Sequence, residues 1–168
     1  MKQNPAIRKL VTAALMTALI CAATFAVAIP TPGGGYVNPG DAVILFSAWL
    51  LGPFWGAAAA GIGSGLADVL AGYAIYAPGT LMIKALMGLT AGLLMRQQAN
   101  NPKLIVVISA LTEGIMILGY FFYESAVLGI GSGAFAAIPG NCVQGVFAAI
   151  AGPALIFALS KTPIRRLL

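Results

Sequence analysis

Histidine is absent from this 168-residue chain, acidic side chains number four, and cysteines two. Without histidine, the commonest general base and the commonest metal ligand are both missing. No metal site and no cofactor is therefore expected, and a membrane enzyme would lack a convincing nucleophile and base set. Cys21 and Cys142 sit far apart in apolar stretches, without the spacing of a disulfide framework or a zinc site, and read as small packing residues. The peptide Gly-Ile-Gly-Ser-Gly occurs at 61–65 and again at 129–133, but no lysine followed by serine or threonine completes a Walker pattern. The chain is thus expected to hydrolyse no ATP itself. Charge is scarce as well. With 8% charged and 60% hydrophobic residues, the chain cannot cover itself with polar surface as a water-soluble domain of this length does. Its natural solvent is the lipid bilayer.

What is present is a series of apolar runs. A bilayer core of about 30 Å needs roughly 20 apolar residues per crossing, which predicts a single all-α transmembrane domain over residues 1–168 with six helices. Their expected positions are about 10–29, 41–52, 54–71, 79–95, 104–123 and 141–159, separated by glycine- and proline-rich breaks. A signal peptide is the competing reading of the first run, since a basic start and Ala26-Val27-Ala28 suit cleavage. The run is long, however, and the rest of the chain is equally membrane-like. The second helix is barely long enough to cross, which suggests a tilted helix or one partly buried by its neighbours.

Basic residues set the expected orientation. With both termini in the cytoplasm, Lys2, Arg8, Lys9, Arg96, Lys103, Lys161, Arg165 and Arg166 all lie inside, and only Lys84 falls within a helix. The positive charge then reports topology, and no nucleic-acid partner is expected, because the basic residues form no single stripe. Ala14, Ala18, Ala22 and Ala26 repeat every four residues and line one ridge, which suits either internal packing or docking of a separate subunit. Gly61 with Gly65 and Gly88 with Gly92 read as internal packing positions.

Ionisable groups inside a bilayer are costly, and they tend to face a cavity and act there. Asp41, Asp68, Lys84, Tyr120, Tyr123, Glu124, Asn141 and Gln144 all fall in the outer half, with Glu113 near the middle of the fifth helix. Tyr36, Asn38 and Tyr76 lie at the same outer level, while the inner halves carry almost no comparable groups. This pattern predicts a pocket open to the outside, with Asn38, Asp41, Tyr76, Lys84, Glu113, Tyr120, Tyr123, Glu124, Asn141 and Gln144 as its candidate ligand-binding residues. Structural alternatives stand beside it. Asp68 and Lys84, at matching depth on one helix hairpin, are expected to form a buried ion pair. Tyr36 and Tyr76 also suit the interfacial aromatic belt, and Asn38 and Asp41 also suit capping of the second helix.

The stretches 35–44 (GYVNPGDAVI), 67–73 (ADVLAGY), 76–84 (YAPGTLMIK), 119–124 (GYFFYE) and 138–144 (IPGNCVQ) occur in order along nearly the whole chain. Together they resemble the riboflavin-transporter-like S components of energy-coupling factor (ECF) vitamin transporters. The resemblance implies a six-helix subunit that captures a water-soluble vitamin from outside and works with a transmembrane coupling protein and two cytoplasmic ATPases. It also implies that the ridge Ala14, Ala18, Ala22 is the surface the coupling protein grips, and that residues 30–39 form a lid. The ligand stays open. Tyrosines suit stacking on a planar ring, and amides with both charge signs suit hydroxyl and amino substituents. A pyridine or pyrimidine vitamin of the pyridoxine or hydroxymethylpyrimidine kind is favoured, then pantothenate or riboflavin. A solitary proton-coupled carrier using Glu113 or Asp68 is the alternative of another class.

Overall fold

The computed structural model describes residues 4–32, 34–98 and 101–162. Lys2, Arg165 and Arg166, three of the basic residues behind the expected orientation, lie outside them, as does Gly33 of the first loop. Six α-helices are present: α1 (Pro5–Ala26), α2 (Gly40–Leu51), α3 (Pro53–Leu70), α4 (Ala77–Gln97), α5 (Pro102–Phe122) and α6 (Ile138–Ser160). All but α2 carry proline in the first turn, where its missing N–H would be unpaired anyway and its fixed φ suits the helix. Reading those prolines as breaks explains why the expected starts at 10, 54, 79, 104 and 141 fall late. For α1 the start is further fixed by Asn4, whose side-chain oxygen accepts the Ala6 N–H at 3.0 Å.

The all-α expectation needs three additions. A two-residue antiparallel pair, β1 (Ile29–Pro30) with β2 (Tyr36–Val37), occupies the first loop, with Ile29 opposite Val37 and Pro30 opposite Tyr36. This hairpin also explains why α1 ends at Ala26 instead of near residue 29. After α5 a π-helical turn (Tyr123–Val127) and a 3-10 segment (Gly131–Ala137) fill what was expected to be an irregular link.

Helix α2 is central. Eleven of its twelve residues are buried, and it packs against α1, α3, α4 and α6. At 1.5 Å per residue it is only about 18 Å long, well short of a bilayer core. It begins beneath the β-hairpin and runs toward the end of the bundle that carries the termini, so the volume above its first turn is left to side chains from other helices. That volume is where the polar residues gather. At the opposite end Leu45, Trp49, Met95, Ile105 and Ile156 close the bundle with an apolar cluster.

Close approach depends on glycine at the α3–α4 contact. A Cβ on Gly61 would lie 2.7 Å from the Leu81 carbonyl oxygen, and one on Gly88 would lie 2.8 Å from that of Gly56. Both glycine pairs are thus internal packing positions. The alanine ridge is not: Ala14, Ala18, Ala22 and Ala26 are exposed, whereas Ala13, Ile20 and Thr24 form the buried face of α1. The reading of both cysteines as packing residues also needs correction, because Cys142 is exposed on the surface of α6.

Large apolar side chains cover the outside, among them Phe54, Met82, Leu118 and Ile150, each at least two-thirds exposed. Such a surface is stable in lipid and not in water. Four segments, Pro5–Ala26, Ala77–Arg96, Pro102–Val127 and Gly131–Ser160, are long and apolar enough to cross a membrane. This is a membrane protein built as an all-helical bundle with a small hairpin across one end.

Candidate functional site

Beneath the hairpin lies a cavity of about 30 Å³, with side chains from α1, α3, α4, α5, α6 and the hairpin around it. Of the ten residues predicted from sequence to bind ligand, Asn38, Tyr76, Lys84, Tyr120, Glu124, Asn141 and Gln144 line it. Asp41, Glu113 and Tyr123 do not.

The floor is a hydrogen-bonded chain rooted at the start of α2. Lys84 donates from Nζ to Asp41 Oδ1 at 2.6 Å, and both side chains are buried. Gln144 Nε2 donates to Asp41 Oδ2, also at 2.6 Å, and Gln144 Oε1 accepts the Asn38 backbone N–H at 2.8 Å. Asn38 Oδ1 in turn accepts the Gly40 N–H at 2.9 Å, an orphan donor of the first turn of α2. Asp41, in that same first turn, also has the favourable end of the helix dipole. The expected ion pair of Lys84 with Asp68 is therefore corrected: Lys84 pairs with Asp41, because α2, and not α3, places a carboxylate across from α4 at this depth. The mistake came from comparing neighbours in sequence, when the central helix is the neighbour in space.

Asp68 has a different partner. The Tyr36 hydroxyl, on β2, donates to Asp68 Oδ1 at 2.6 Å, and the Tyr36 ring lies against Tyr73 with centroids 4.8 Å apart. Burial, with the Asp68 carboxylate beside it, pushes the Tyr36 phenol well above its ordinary range. Tyr36 is accordingly a hairpin residue tied to α3. Tyr76, at the start of α4, also faces the cavity. Burial and then the neighbouring Glu124 carboxylate raise its phenol to about 12.

The hairpin closes over these groups. Thr31 N–H donates to the Gly35 carbonyl at 2.9 Å, and Gly34 makes the turn at φ 92°, a conformation that favours glycine. A Cβ on Gly140 would meet Thr31 Cγ2 at 2.7 Å, so the hairpin rests directly on the first turn of α6. Among the described residues, Asn38 to Gln144 and Tyr36 to Asp68 tie this hairpin segment to the helices through side chains.

Sequence reasoning missed Thr24, Thr31, Ser64 and Thr80, all of which line the cavity. A signal existed for two of them. Ser64 lies four residues before Asp68, and Thr80 four before Lys84, so each shares a helical face with a residue already singled out. Thr80 Oγ1 and the Tyr120 hydroxyl are hydrogen-bonded at 2.9 Å. Tyr123 instead donates to the Ile75 carbonyl at 2.8 Å and covers Gly79, which makes it a brace at the α3–α4 turn. Glu124 reaches the cavity from the π-helical turn, a local widening often found at functional positions.

Glu113 is buried one layer below, against Gly145 of α6, where a Cβ would sit 3.2 Å from its own. Neither of its carboxylate oxygens has a hydrogen-bond partner. Among the cavity-lining residues, Thr24 Oγ1, Ser64 Oγ, Asp68 Oδ2 and Glu124 Oε2 are likewise buried and unpartnered. Buried polar atoms are nearly always hydrogen-bonded, so four unsatisfied atoms on residues around one cavity make it the candidate site. Among the described residues, no cluster of three or more acidic, cysteine or histidine residues is arranged to hold a metal ion.

Comparison with known proteins agrees with this architecture. A family model described as "ECF-type riboflavin transporter, S component" matches residues 4–161. An uncharacterized protein from Pyrococcus woesei, encoded in the gap 3' region, is 38% identical over 140 residues, covering 82% of this chain and 92% of that protein. The crystal structure of an S-component for biotin from an ECF-type ABC transporter superposes with a TM-score of 0.68 at 19% identity, covering 99% of this chain and 94% of that one. At that identity the likeness concerns the fold.

Proposed function

The chain belongs to the family of ECF-type riboflavin transporter S components, and from that membership we propose that it is the subunit that captures a water-soluble vitamin or vitamin precursor outside the cell membrane for ATP-driven uptake. Six helices run between the two faces of the membrane, the central α2 falling short of the full hydrocarbon thickness, with both termini in the cytoplasm and the hairpin facing outward. The observation that carries the reading is the set of four unpartnered atoms on Thr24, Ser64, Asp68 and Glu124 around one lidded cavity. A cavity of about 30 Å³ holds about one water, so capture of a vitamin requires the hairpin to lift and the side chains beneath it to separate. The ties from Tyr36 to Asp68 and from Asn38 to Gln144 then set how readily it lifts.

ATP hydrolysis belongs to partners, a transmembrane coupling protein and two cytoplasmic ATPases, since the chain has no phosphate-binding loop. The ridge Ala14, Ala18, Ala22 is the docking surface, its exposure supporting a role other than internal packing. The tyrosines and amides around the cavity favour a pyridine or pyrimidine vitamin of the pyridoxine or hydroxymethylpyrimidine kind over pantothenate or riboflavin. Affinity purification from the native membrane, followed by binding of radiolabelled vitamins to the isolated chain, tests both halves. Recovery of a coupling protein and two ATPases, with tight binding of one vitamin, is expected.

A second reading rests on Glu113, whose buried carboxylate oxygens both lack partners. In a solitary proton-coupled carrier it would hold the proton. Uptake that continues without ATPase partners and stops when the proton gradient is collapsed would favour this alternative.

A further inference from the structure

Resting on the capture reading above, and narrowing its pyridine or pyrimidine class to members with net positive charge, we infer that the ligand is a planar aromatic cation, a ring whose net charge comes from a protonated amine or a positively charged nitrogen. All four acidic residues of the chain, Asp41, Asp68, Glu113 and Glu124, are buried in the polar region beneath the hairpin. Of the six described basic residues only Lys84 is there, and its ammonium group is taken by Asp41 at 2.6 Å. Among the described residues, Asp68 and Glu124 are thus left without a cation within ion-pair distance. Each is at most 3% exposed, each has one buried oxygen, Oδ2 and Oε2, without a hydrogen-bond partner, and both residues line the same cavity. A buried carboxylate without a counter-charge is strongly disfavoured, and an ionised one can only accept hydrogen bonds. A ligand that supplies positive charge and N–H donors meets both requirements at once.

The remaining walls fit such a group. Tyr36, Tyr76 and Tyr120 are among the residues lining the cavity, and aromatic rings attract cations. One of them already does so internally, with Lys84 Nζ 5.3 Å from the Tyr120 centroid. Thr24 and Ser64, also in the lining, carry buried hydroxyls without a hydrogen-bond partner, a group that can donate or accept. An anionic ligand would have to displace Asp41 from Lys84 and would still face Asp68 and Glu124.

The test is equilibrium titration of the purified full chain in lipid nanodiscs at neutral pH with six probes. Thiamine and pyridoxamine are cations, pyridoxine and riboflavin carry no net charge, and biotin and pantothenate are anions. Pyridoxamine against pyridoxine is the sharpest comparison, since an ammonium replaces a hydroxyl on the same ring. A cation is expected to bind at least about tenfold more tightly than either neutral probe, and the anions not to bind. Asp68→Asn and Glu124→Gln are each expected to weaken that cation by about tenfold or more, while thermal unfolding confirms that the variants stay folded. Tighter binding of a neutral or anionic probe, or unchanged cation binding by both variants, overturns the inference and leaves vitamin capture standing. Failure of all six overturns it too, and recovery or loss of the coupling protein and ATPases then judges the capture reading separately.

Discussion

Lys84 and Asp41 form a buried ion pair between α4 and α2, nitrogen to oxygen 2.6 Å, with 3% and 1% of their side chains exposed. Removing one member strands the other charge away from water, at a cost of about 3 to 5 kcal/mol. Lys84→Met and Asp41→Asn are each expected to lower the midpoint of thermal unfolding sharply, and the double replacement Lys84→Met with Asp41→Leu to recover most of the loss. Asp68→Asn, which keeps an acceptor for Tyr36 and leaves the pair intact, is expected to be much milder. Equal losses in all three single variants would mean that Asp68 shares the pair.

The hairpin ties are expected to set the lifetime of the bound state. Tyr36→Phe removes a hydrogen bond to a carboxylate, an interaction of about 1.5 to 3 kcal/mol. Vitamin dissociation is expected to quicken by about one to two decades, with association much less affected. Gln144→Ala, which frees Asn38 and leaves Asp41 without one donor, is expected to act in the same direction. Stopped-flow release measurements check both variants.

Bulk on the alanine ridge separates docking from binding. Ala18→Trp is expected to abolish vitamin uptake in cells while the isolated chain binds its vitamin as before, because Ala18 is exposed and does not line the cavity. Loss of binding together with uptake would show that the ridge supports the fold instead.

Topology is checked by cysteine labelling in a background with Cys21 and Cys142 replaced. Ser132→Cys, in the 3-10 segment near the hairpin end, is expected to react with an impermeant reagent added to intact cells. Lys103→Cys, at the start of α5, is expected to react only after the membrane is opened. The reverse pattern inverts the orientation.

Two glycines should respond oppositely to the same change. A Cβ on Gly88 would lie 2.8 Å from the Gly56 carbonyl oxygen, so Gly88→Ala is expected to push α3 and α4 apart and destabilise the bundle. Gly114 has nothing within 4 Å of that position, and Gly114→Ala is expected to leave stability unchanged or raise it by up to about 1 kcal/mol. Denaturant unfolding in detergent reads both.

The sequence by itself determined the solvent, the number of helices and the end of the bundle where the polar residues gather. It could do so because the cost of burying charge in lipid acts residue by residue along the chain. Asn38, Tyr76, Lys84, Tyr120, Glu124, Asn141 and Gln144 were legible for that reason: each is a polar side chain at a recognisable depth. Tertiary structure alone decided the partners. The twelve-residue α2, which reads as a marginal crossing helix, proves to be the centre of the bundle and brings Asp41 to Lys84, while Asp68 turns to Tyr36 on a hairpin that no periodicity announces. Depth is a one-dimensional property and can be counted along a helix. Which carboxylate faces which lysine depends on how six helices surround one another, and that is set by close approach at small residues such as Gly61 and Gly88, positions whose sequence signal says that something comes near without saying what.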